Sequence, residues 1–335
     1  MTSPKFFCGA CDFHVSSYYY RVEFQQRGAP HIHTLLWLQD KNGKPAPTFW
    51  TTEENSENEE KEKEKQIDKL KEIENIAMIL ISGSKEDALC DEHQCFMNLS
   101  RVNQTNCLIC FSADVNFEAC SEHKSVLDES KDCEKCFHLQ KLVTQFQTHK
   151  HTFTCQKKNK VINVKEDEGH GRKDGKIKGP RIENYVHCRF NFPQFPLNRT
   201  TFILGMSKEL EFESIDQRKK DLRKIKKYLI RQSHSQDTSM EETPSCQHLK
   251  SQTFLQFLYE VGMFSTDKQL ENYSSSEKDA AYQRYINALS ASVRGTGSVF
   301  LKRDTKDLFT NNFNIQLMHL HKANHDVQIV VDQVS

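Results

Sequence analysis

The 335-residue sequence has no net charge, because 46 Lys and Arg residues are balanced by 46 Asp and Glu residues. The overall positive charge of many nucleic-acid-binding proteins is therefore absent, and any such role must depend on local basic patches. Hydrophobic residues make up only 36% of the chain and charged residues 27%. This composition predicts a modest core beside substantial exposed sequence.

Long apolar segments are also missing. No stretch is long and apolar enough to cross a bilayer, and no signal-peptide pattern follows Met1. The absence of a Gly-x-x-x-x-Gly-Lys-Ser/Thr loop excludes a P-loop ATPase from this chain. We therefore expect an intracellular protein with no membrane contact and no small-molecule substrate. In that setting its 12 cysteines are better metal ligands than disulfide partners.

The stretch from 18 to 38 predicts two β-strands joined by a turn. Residues 18–25 are rich in aromatic and β-branched side chains that alternate with polar ones. Arg27-Gly28-Ala29-Pro30 has typical turn composition. Residues 31–38 are mostly apolar, so we expect this second strand to be buried on both faces and Tyr18, Tyr19 and Tyr20 to be packing residues.

Two histidines in the second strand suggest a metal site. His31 and His33 are two residues apart and therefore share one face of a strand. Together with Glu23 or Gln25 on the first strand, they would form a three-point site for a divalent cation.

The run Glu23-Phe24-Gln25-x-Arg27-Gly28-x-Pro30-His31-Ile32-His33 resembles the His-hydrophobic-His (HUH) block of the replication-initiator-like domain in Helitron transposases, in particular the animal Helitron/Helentron branch. The resemblance implies an α+β fold, in which an antiparallel sheet of the replication-initiator (HUH) type is combined with helices and a Cys/His-rich zinc-binding insertion. It further implies that His31 and His33 hold Mg²⁺ or Mn²⁺, with Gln25 or Glu23 as third ligand. Arg27 is a candidate nucleic-acid contact.

The activity implied by this resemblance is metal-dependent nicking and strand transfer of single-stranded DNA through a tyrosine hydroxyl. In the family, the nucleophilic tyrosines follow a strand with the pattern Asn-x-Asp-hydrophobic-Gln, which Asn324-His325-Asp326-Val327-Gln328 matches. The sequence ends soon afterwards and carries no helicase, so we expect a truncated domain that does not complete the chemistry. Tyr282 and Tyr285 are poor substitutes, because they lie on a different element. A nuclear location is inferred from the DNA substrate alone.

Cysteine pairs predict a first zinc site. Cys107-x-x-Cys110 and Cys133-x-x-Cys136 provide four thiolates, a set that suits tetrahedral zinc. Cys90, His93 and Cys95 form a separate cluster upstream. The alternative is a set of unpaired cysteines in a divergent insertion.

A second constellation consists of His149-x-His151-x-x-x-Cys155, followed by Cys188-Arg189-Phe190. It also resembles the Helitron-like family, in which a His-x-His-x-x-x-Cys run precedes a Cys-Arg-Phe run. His149, His151, Cys155 and Cys188 are therefore candidate ligands of a His₂Cys₂ zinc site. The link between the two halves, residues 156–187, is long and rich in Gly and Lys; it is either a mobile phosphate-binding segment or a solvated loop.

Helical periodicity is clear in residues 207–232, where an apolar stripe lies beside many basic residues. Lys219, Lys220 and Arg223 are candidate contacts to DNA, although an ordinary solvated amphipathic helix would have the same pattern. Shorter helices are predicted from Ile67 onward and over 252–261 and 277–293. Strands at 299–303 and 326–331 are expected to join the first two strands in one sheet.

The sequence thus divides into five parts and supports two functions. The parts are HUH metal-site strands (1–50), a charged linker and helix (51–89), a Cys/His-rich region predicted to bind zinc (90–200), a helical region (201–298) and C-terminal sheet strands (299–335). The first function is that of a Helitron-like transposase fragment that binds single-stranded DNA. The alternative is a zinc-dependent nucleic-acid-binding or interaction module without catalysis. The sequence predicts no oligomeric state.

Overall fold

The computed structural model describes residues 13–24, 30–40, 42–46, 59–90, 93, 128–151, 155–163, 181–206, 211–234 and 252–330. Within these residues the chain combines helices with three separate two-stranded antiparallel sheets. No helix in the described ranges is both long and apolar enough to cross a membrane.

Strands β1 (Phe13–Phe24) and β2 (Pro30–Asp40) form the predicted hairpin, which we call the N-terminal ribbon. Its apolar side chains are exposed: Ile32 is 61% and Trp37 49% accessible, and Tyr18, Tyr19 and Tyr20 are also exposed. The prediction of burial on both faces was therefore wrong, as was the prediction that the three tyrosines pack. The physical reason is that, among the described elements, β1 and β2 make extensive contacts only with each other.

Three helices enclose the main core. They are α3 (Phe212–His234), α4 (Phe254–Glu260) and α5 (Ser275–Ser290), in agreement with the helical periodicity of the sequence. Tyr285, Phe257 and Ile225 are fully buried between them. The Arg284 guanidinium donates two hydrogen bonds, of 2.8 and 2.9 Å, to the buried carboxylate of Asp221. This pair joins α5 to α3 through a planar, charge-assisted contact.

A short sheet lies beside this core. Strand β5 (Thr201–Leu204) pairs with β6 (Gly297–Phe300), and α1 (Glu59–Leu80) packs against β5. The Phe202 backbone N–H donates to Glu74 Oε1 at 2.7 Å, which ties the sheet to the helix. Burial raises the pKa of the Glu74 carboxyl, although the Phe202 hydrogen bond acts in the opposite direction.

The single HUH-type sheet is not confirmed. Strand β6 uses β5 as its partner instead of β1 or β2, and residues 324–330 contain no strand. The loop at His325 has its own hydrogen bonds, because the Gln147 side-chain amide lies 2.9 Å from its Nδ1 and the Asn314 backbone N–H donates to its Nε2 at 3.1 Å. These bonds hold the segment as a loop, so the coarser class of helices with small antiparallel sheets is what the structure supports.

The remaining elements are short, and several of them border the Cys/His-rich region. They are α2 (Glu134–Leu142), which continues into a π-helical turn (Val143–Gln147), the hairpin of β3 (Gln156–Asn163) and β4 (Arg181–Cys188), the helix α6 (Ile315–His321), and 3₁₀ turns at Lys85–Asp87, Leu270–Asn272 and Thr305–Asp307.

Buried Arg303 fixes the segment that supports this region. Its guanidinium donates to the carbonyl oxygens of Gly83 at 2.7 Å and Asp307 at 3.0 Å, and to Asn312 Oδ1 at 2.8 Å. Burial lowers the pKa of Arg303 to about 10, so it remains charged at neutral pH. The side chain thereby anchors residues 303–313 to the chain that follows α1.

Candidate metal centres

Two groups of four Cys and His side chains bring their ligand atoms within 4.8 Å of one another. We call them the first centre (Cys90, His93, Cys133 and Cys136) and the second centre (His149, His151, Cys155 and Cys188). Cys and His are the usual ligands of structural zinc. Both groups are therefore geometrically able to bind a metal ion.

In the first centre, two ligands come from the start of α2. Cys133 is the residue that caps this helix and Cys136 lies in its first turn. Cys90 follows the 3₁₀ turn at Lys85–Asp87, and its backbone N–H donates to Cys136 Sγ at 3.2 Å. His93 reaches the same point from the next turn of chain, because its Nδ1 is 3.3 Å from both Cys90 Sγ and Cys136 Sγ.

The spacing of these atoms matches a tetrahedral zinc site. Zinc with ordinary bond lengths to sulfur and nitrogen separates two sulfurs by about 3.8 Å and a sulfur from a nitrogen by about 3.6 Å. The Cys90 and Cys133 sulfurs are 3.8 Å apart, and both sulfur–nitrogen distances to His93 are 3.3 Å. Small adjustments would accommodate the ion.

The surroundings of the first centre act in opposite directions on its two helix thiols. Hydrogen bonding from the Cys136 backbone N–H, at the helix N-terminus, lowers the pKa of the Cys133 thiol. Burial raises the pKa of Cys136 to about 12 in the metal-free chain, so this thiol must lose its proton when it binds a metal. Three thiolates and one neutral imidazole around Zn²⁺ would leave one net negative charge.

His93 also has an outer partner. Its second ring nitrogen, Nε2, lies 3.9 Å from Glu129 Oε2. A carboxylate that accepts a hydrogen bond from this nitrogen is the usual means of orienting a metal-bound imidazole, and Glu129 lies within ion-pair distance of it but beyond hydrogen-bond distance. The sequence analysis did not identify Glu129. The only feature of the sequence that could have done so is its position four residues before Cys133.

In the second centre, the ligands come from both ends of the β3–β4 hairpin. Cys155 directly precedes β3, Cys188 ends β4, and Gln156 lies opposite Cys188 in the register. Cys155 Sγ is 3.5 Å from His151 Nδ1, and Cys188 Sγ is 3.3 Å from His149 Nε2. The two histidines follow the π-helical turn that continues α2.

Aromatic rings surround the second centre. His149 stacks on buried Phe192 with ring centroids 4.4 Å apart, and His151 meets the edge of Phe309 at 5.5 Å. The His149 backbone N–H donates to the Phe309 carbonyl at 2.7 Å. Burial, with a smaller effect from nearby His151, lowers the pKa of His149 to about 4. His149 is therefore neutral at pH 7, which is the form that binds a metal.

The two thiols of the second centre are almost fully buried. Cys155 is 1% and Cys188 6% accessible, and burial raises the pKa of Cys188. Two thiolates and two neutral imidazoles around Zn²⁺ would be neutral overall. A neutral complex is the one that an apolar site accommodates at the lowest desolvation cost.

The structure brings together all four residues of the predicted His₂Cys₂ set. It places Cys133 and Cys136 next to Cys90 and His93, which the sequence had marked as a separate cluster. Cys107 and Cys110 lie outside the described residues, so their participation in a zinc site stays a prediction. The overlooked signal is that Cys90-x-x-His93 has the same two-residue spacing as the Cys-x-x-Cys pairs.

The predicted HUH site belongs to the N-terminal ribbon. The register places His31 opposite Glu23 and His33 opposite Arg21, and His33 is exposed. Gln25 and Arg27 lie outside the described residues, as do the side chains of Glu23 and His31. The Mg²⁺ or Mn²⁺ site is therefore still a prediction.

The basic residues of α3 face solvent. Lys219, Lys220 and Arg223 are all exposed, and Lys220 forms an ion pair with Asp216 at 3.0 Å. The acidic residue between them, Asp221, points into the core, where it binds Arg284. As a result, the exposed side of this part of α3 is dominated by positive charge.

Each centre offers four protein ligands, so a tetrahedral ion bound by all four would have no open position for a substrate or an activated water. Their geometry is that of structural sites, which stabilise a fold, instead of catalytic ones. Comparisons with models of known protein families, with curated proteins and with solved structures found no match to this chain.

Proposed function

We propose that this chain is a zinc-stabilised module of a Helitron-like transposase that binds single-stranded DNA. In the parent activity, a metal at His31 and His33 assists nicking and strand transfer of single-stranded DNA by a tyrosine. The zinc ions at the two centres hold the module together and take no part in the chemistry.

The second centre carries this proposal. The motifs His149-x-His151-x-x-x-Cys155 and Cys188-Arg189-Phe190 were singled out for their resemblance to the Helitron-like family. The two motifs are far apart in sequence, since the first ends at Cys155 and the second begins at Cys188. Their four metal-ligand side chains nevertheless converge on one point. This convergence supports the resemblance, because unrelated cysteines in a divergent insertion would have no reason to meet.

Zinc explains how such a chain folds with a modest core. Structural zinc sites in small domains contribute about 10–16 kcal/mol of apparent binding free energy, which becomes folding free energy. The two centres flank α2 and its π-helical turn, and the residues from Phe309 to Met318 pack on both of them. Loss of either metal would therefore loosen this whole region.

Exposed basic side chains provide the contact to DNA. Lys219 and Arg223 project from α3 into solvent, and such residues neutralise phosphates and release counterions when they bind. The affinity for single-stranded DNA is therefore expected to fall as salt rises.

Neither of the buried tyrosines of α5 is assigned as the nucleophile. Tyr285 is fully buried and donates its hydroxyl to the Pro196 carbonyl at 2.9 Å, and Tyr282 is also buried. Burial holds the pKa of Tyr285 well above its usual range, which opposes formation of a nucleophilic phenolate. Neither side chain is accessible to a DNA phosphate.

The test uses the full chain loaded with zinc and a labelled single-stranded oligonucleotide in the presence of Mn²⁺ or Mg²⁺. We expect at least two zinc ions per chain, one for each centre, with salt-sensitive DNA binding and no covalent adduct on a denaturing gel. The absence of DNA binding at low salt would overturn the proposal. An adduct that the double substitution His31→Ala and His33→Ala removes would show that a tyrosine of this chain completes the reaction.

The closed coordination of both centres favours a second candidate, a zinc-dependent nucleic-acid-binding or interaction module in which His31 and His33 are idle. The two candidates differ in which substitutions abolish DNA binding. Loss of binding in Cys133→Ser, with full binding in the His31→Ala and His33→Ala double variant, would favour this second candidate. The reverse pattern would favour the transposase module.

A further inference from the structure

An exposed turn next to the second centre contains a half-exposed aromatic ring. Phe190 is 50% accessible, whereas Phe192, two residues later, is buried against His149. The same turn thus buries one phenylalanine and presents another to solvent. The stacking of Phe192 shows that the centre can cover an aromatic ring, so the exposure of Phe190 calls for an explanation outside the core.

The ligands of the second centre hold this turn in place. The Phe190 backbone N–H donates to Cys188 Sγ at 3.4 Å, and the Arg189 N–H donates to the Cys155 carbonyl at 2.8 Å. Asn191 completes the turn with a φ of 60°, and its N–H donates to the Cys188 carbonyl at 3.1 Å. The edge of the Phe190 ring rests on His149 at 5.7 Å. Metal binding therefore presents Phe190 in a fixed position.

The charge around the exposed ring is positive. The Arg189 guanidinium lies 4.6 Å from the centre of the Phe190 ring, and exposed Lys150 lies between the ligands His149 and His151. Because two thiolates and Zn²⁺ cancel, the occupied second centre would not offset these two cations. Among the described residues, no carboxylate forms an ion pair with Arg189 or Lys150, so this part of the surface combines an aromatic ring with positive charge.

From this arrangement we infer that Phe190 and Arg189 form a base-stacking site for single-stranded DNA, with a base on the Phe190 ring and a phosphate beside Arg189. This inference rests on the proposed function and gives the DNA a defined location. Stacking on an aromatic ring is tolerant of sequence, because every base has a π-face, and an adjacent Arg adds a cation–π and phosphate contact.

The test measures fluorescence anisotropy of labelled oligothymidylate with the zinc-loaded full chain. Phe190→Ala is expected to weaken binding by roughly 5- to 150-fold, the range typical of one lost base–aromatic stack. The same variant should bind an abasic oligonucleotide of equal length as tightly as the wild type does, because that probe has phosphates but no bases. Phe137→Ala is the matched control, since Phe137 is an exposed aromatic beside the first centre.

Three outcomes separate the inference from the proposal on which it rests. If the wild type binds oligothymidylate and Phe190→Ala binds it equally well, the stacking site is refuted while the proposed function stands. If the wild type binds no single-stranded DNA, both are refuted. A weaker affinity in Phe190→Ala, with an unchanged affinity in Phe137→Ala, supports the site.

A second variant covers the case in which Phe190→Ala disturbs the centre and loses zinc. Phe190→Trp retains an aromatic face and introduces an indole whose emission a stacked base quenches. We expect wild-type affinity and quenching by oligothymidylate beyond that of the wild-type chain, but none by the abasic probe. Tight binding without additional quenching would overturn the inference.

Discussion

The two Cys/His centres lie at opposite ends of one helical segment, yet their surroundings differ in a consistent way. The first centre contains three cysteines and lies at the N-terminus of α2, and the backbone N–H of Cys90, which precedes the helix, donates to Cys136 Sγ. The second contains two cysteines and is enclosed by the rings of Phe192 and Phe309. The charge expected for each zinc complex, one negative and one neutral, matches the polarity of its environment.

This match suggests that the ligand set and its surroundings work as a unit. A negative complex is stabilised at a helix N-terminus, and a neutral one has the lower desolvation cost among aromatic rings. The difference also separates both centres from the N-terminal ribbon, where His33 is exposed to water. An exposed histidine ligand suits an exchangeable cation with open positions, whereas the buried cysteines of the two centres suit a permanently held ion.

The largest effects should follow from removal of a buried thiol. Cys136→Ser and Cys188→Ser should each reduce the zinc content by about one ion per chain, and lower affinity at the altered centre by at least about 100-fold. The zinc content of the purified variants, relative to that of the wild type, is the measurement. His138→Ala, an exposed histidine in α2 outside both centres, is the control and should retain the wild-type zinc content. An unchanged zinc content in either serine variant would refute the corresponding centre.

Exchange of a histidine for cysteine tests whether charge is matched to environment. His149→Cys would place a third thiolate among the aromatic rings, and should weaken zinc binding at the second centre on the order of tenfold, or about 1.4 kcal/mol. His93→Cys adds a thiolate next to the helix N-terminus and should have a smaller effect. Competition with a chelator measures both affinities. Equal losses in the two variants would argue against charge matching.

The pH dependence of zinc binding should also differ between the centres. Because bound cysteines must lose their protons, zinc affinity rises with pH. His149 releases no proton near pH 7, since its pKa is lowered to about 4. The second centre should therefore release about two protons, and the first up to about three, as each binds zinc.

This pH difference is measurable on variants that retain one centre. Cys188→Ser isolates the first centre and Cys136→Ser the second, and the logarithm of zinc affinity is determined between pH 6.5 and 8. The steeper slope is expected for the first centre. Identical slopes would mean that the two centres have the same number of protonated ligands in the metal-free chain.

The smallest effect is expected at Glu129. Glu129→Gln removes the charge 3.9 Å from His93 Nε2, and should weaken zinc binding at the first centre by a few-fold to about tenfold, since the carboxylate is largely exposed. Asp132→Asn neutralises a nearby exposed carboxylate and is the control. If both substitutions weaken zinc binding equally, the cause is the negative electrostatic potential of this surface and not a specific contact between Glu129 and His93.

Local patterns in the sequence predicted the helices well. The apolar stripe of α3 correctly placed Leu222, Ile225 and Leu229 in the core. The spacing of Leu70, Ile73 and Ile76 likewise predicted α1. Such periodicity depends only on near neighbours, which is why it is visible without knowledge of the fold.

Pairing between distant segments was harder to predict. Cys90-x-x-His93, Cys107-x-x-Cys110 and Cys133-x-x-Cys136 have the same spacing, so the sequence alone cannot rank their combinations. The pairing in the structure depends on how α2 packs against Phe313 and Met318, which are remote in sequence. Strand β5 is only four residues long, and because it was not predicted, β6 was assigned to the wrong sheet.

The two ends of the β3–β4 hairpin lie next to each other at the second centre, because Gln156 and Cys188 are paired in the register. A metal bound by Cys155 and Cys188 would link the two ends of this hairpin, whatever the length of the chain between them. The entropy of closing a loop grows slowly, by about 0.6 kcal/mol for each doubling of length. We therefore expect that changes of length between β3 and β4 alter the free energy of unfolding little, so that this arm can be exchanged while the centre that anchors it is preserved.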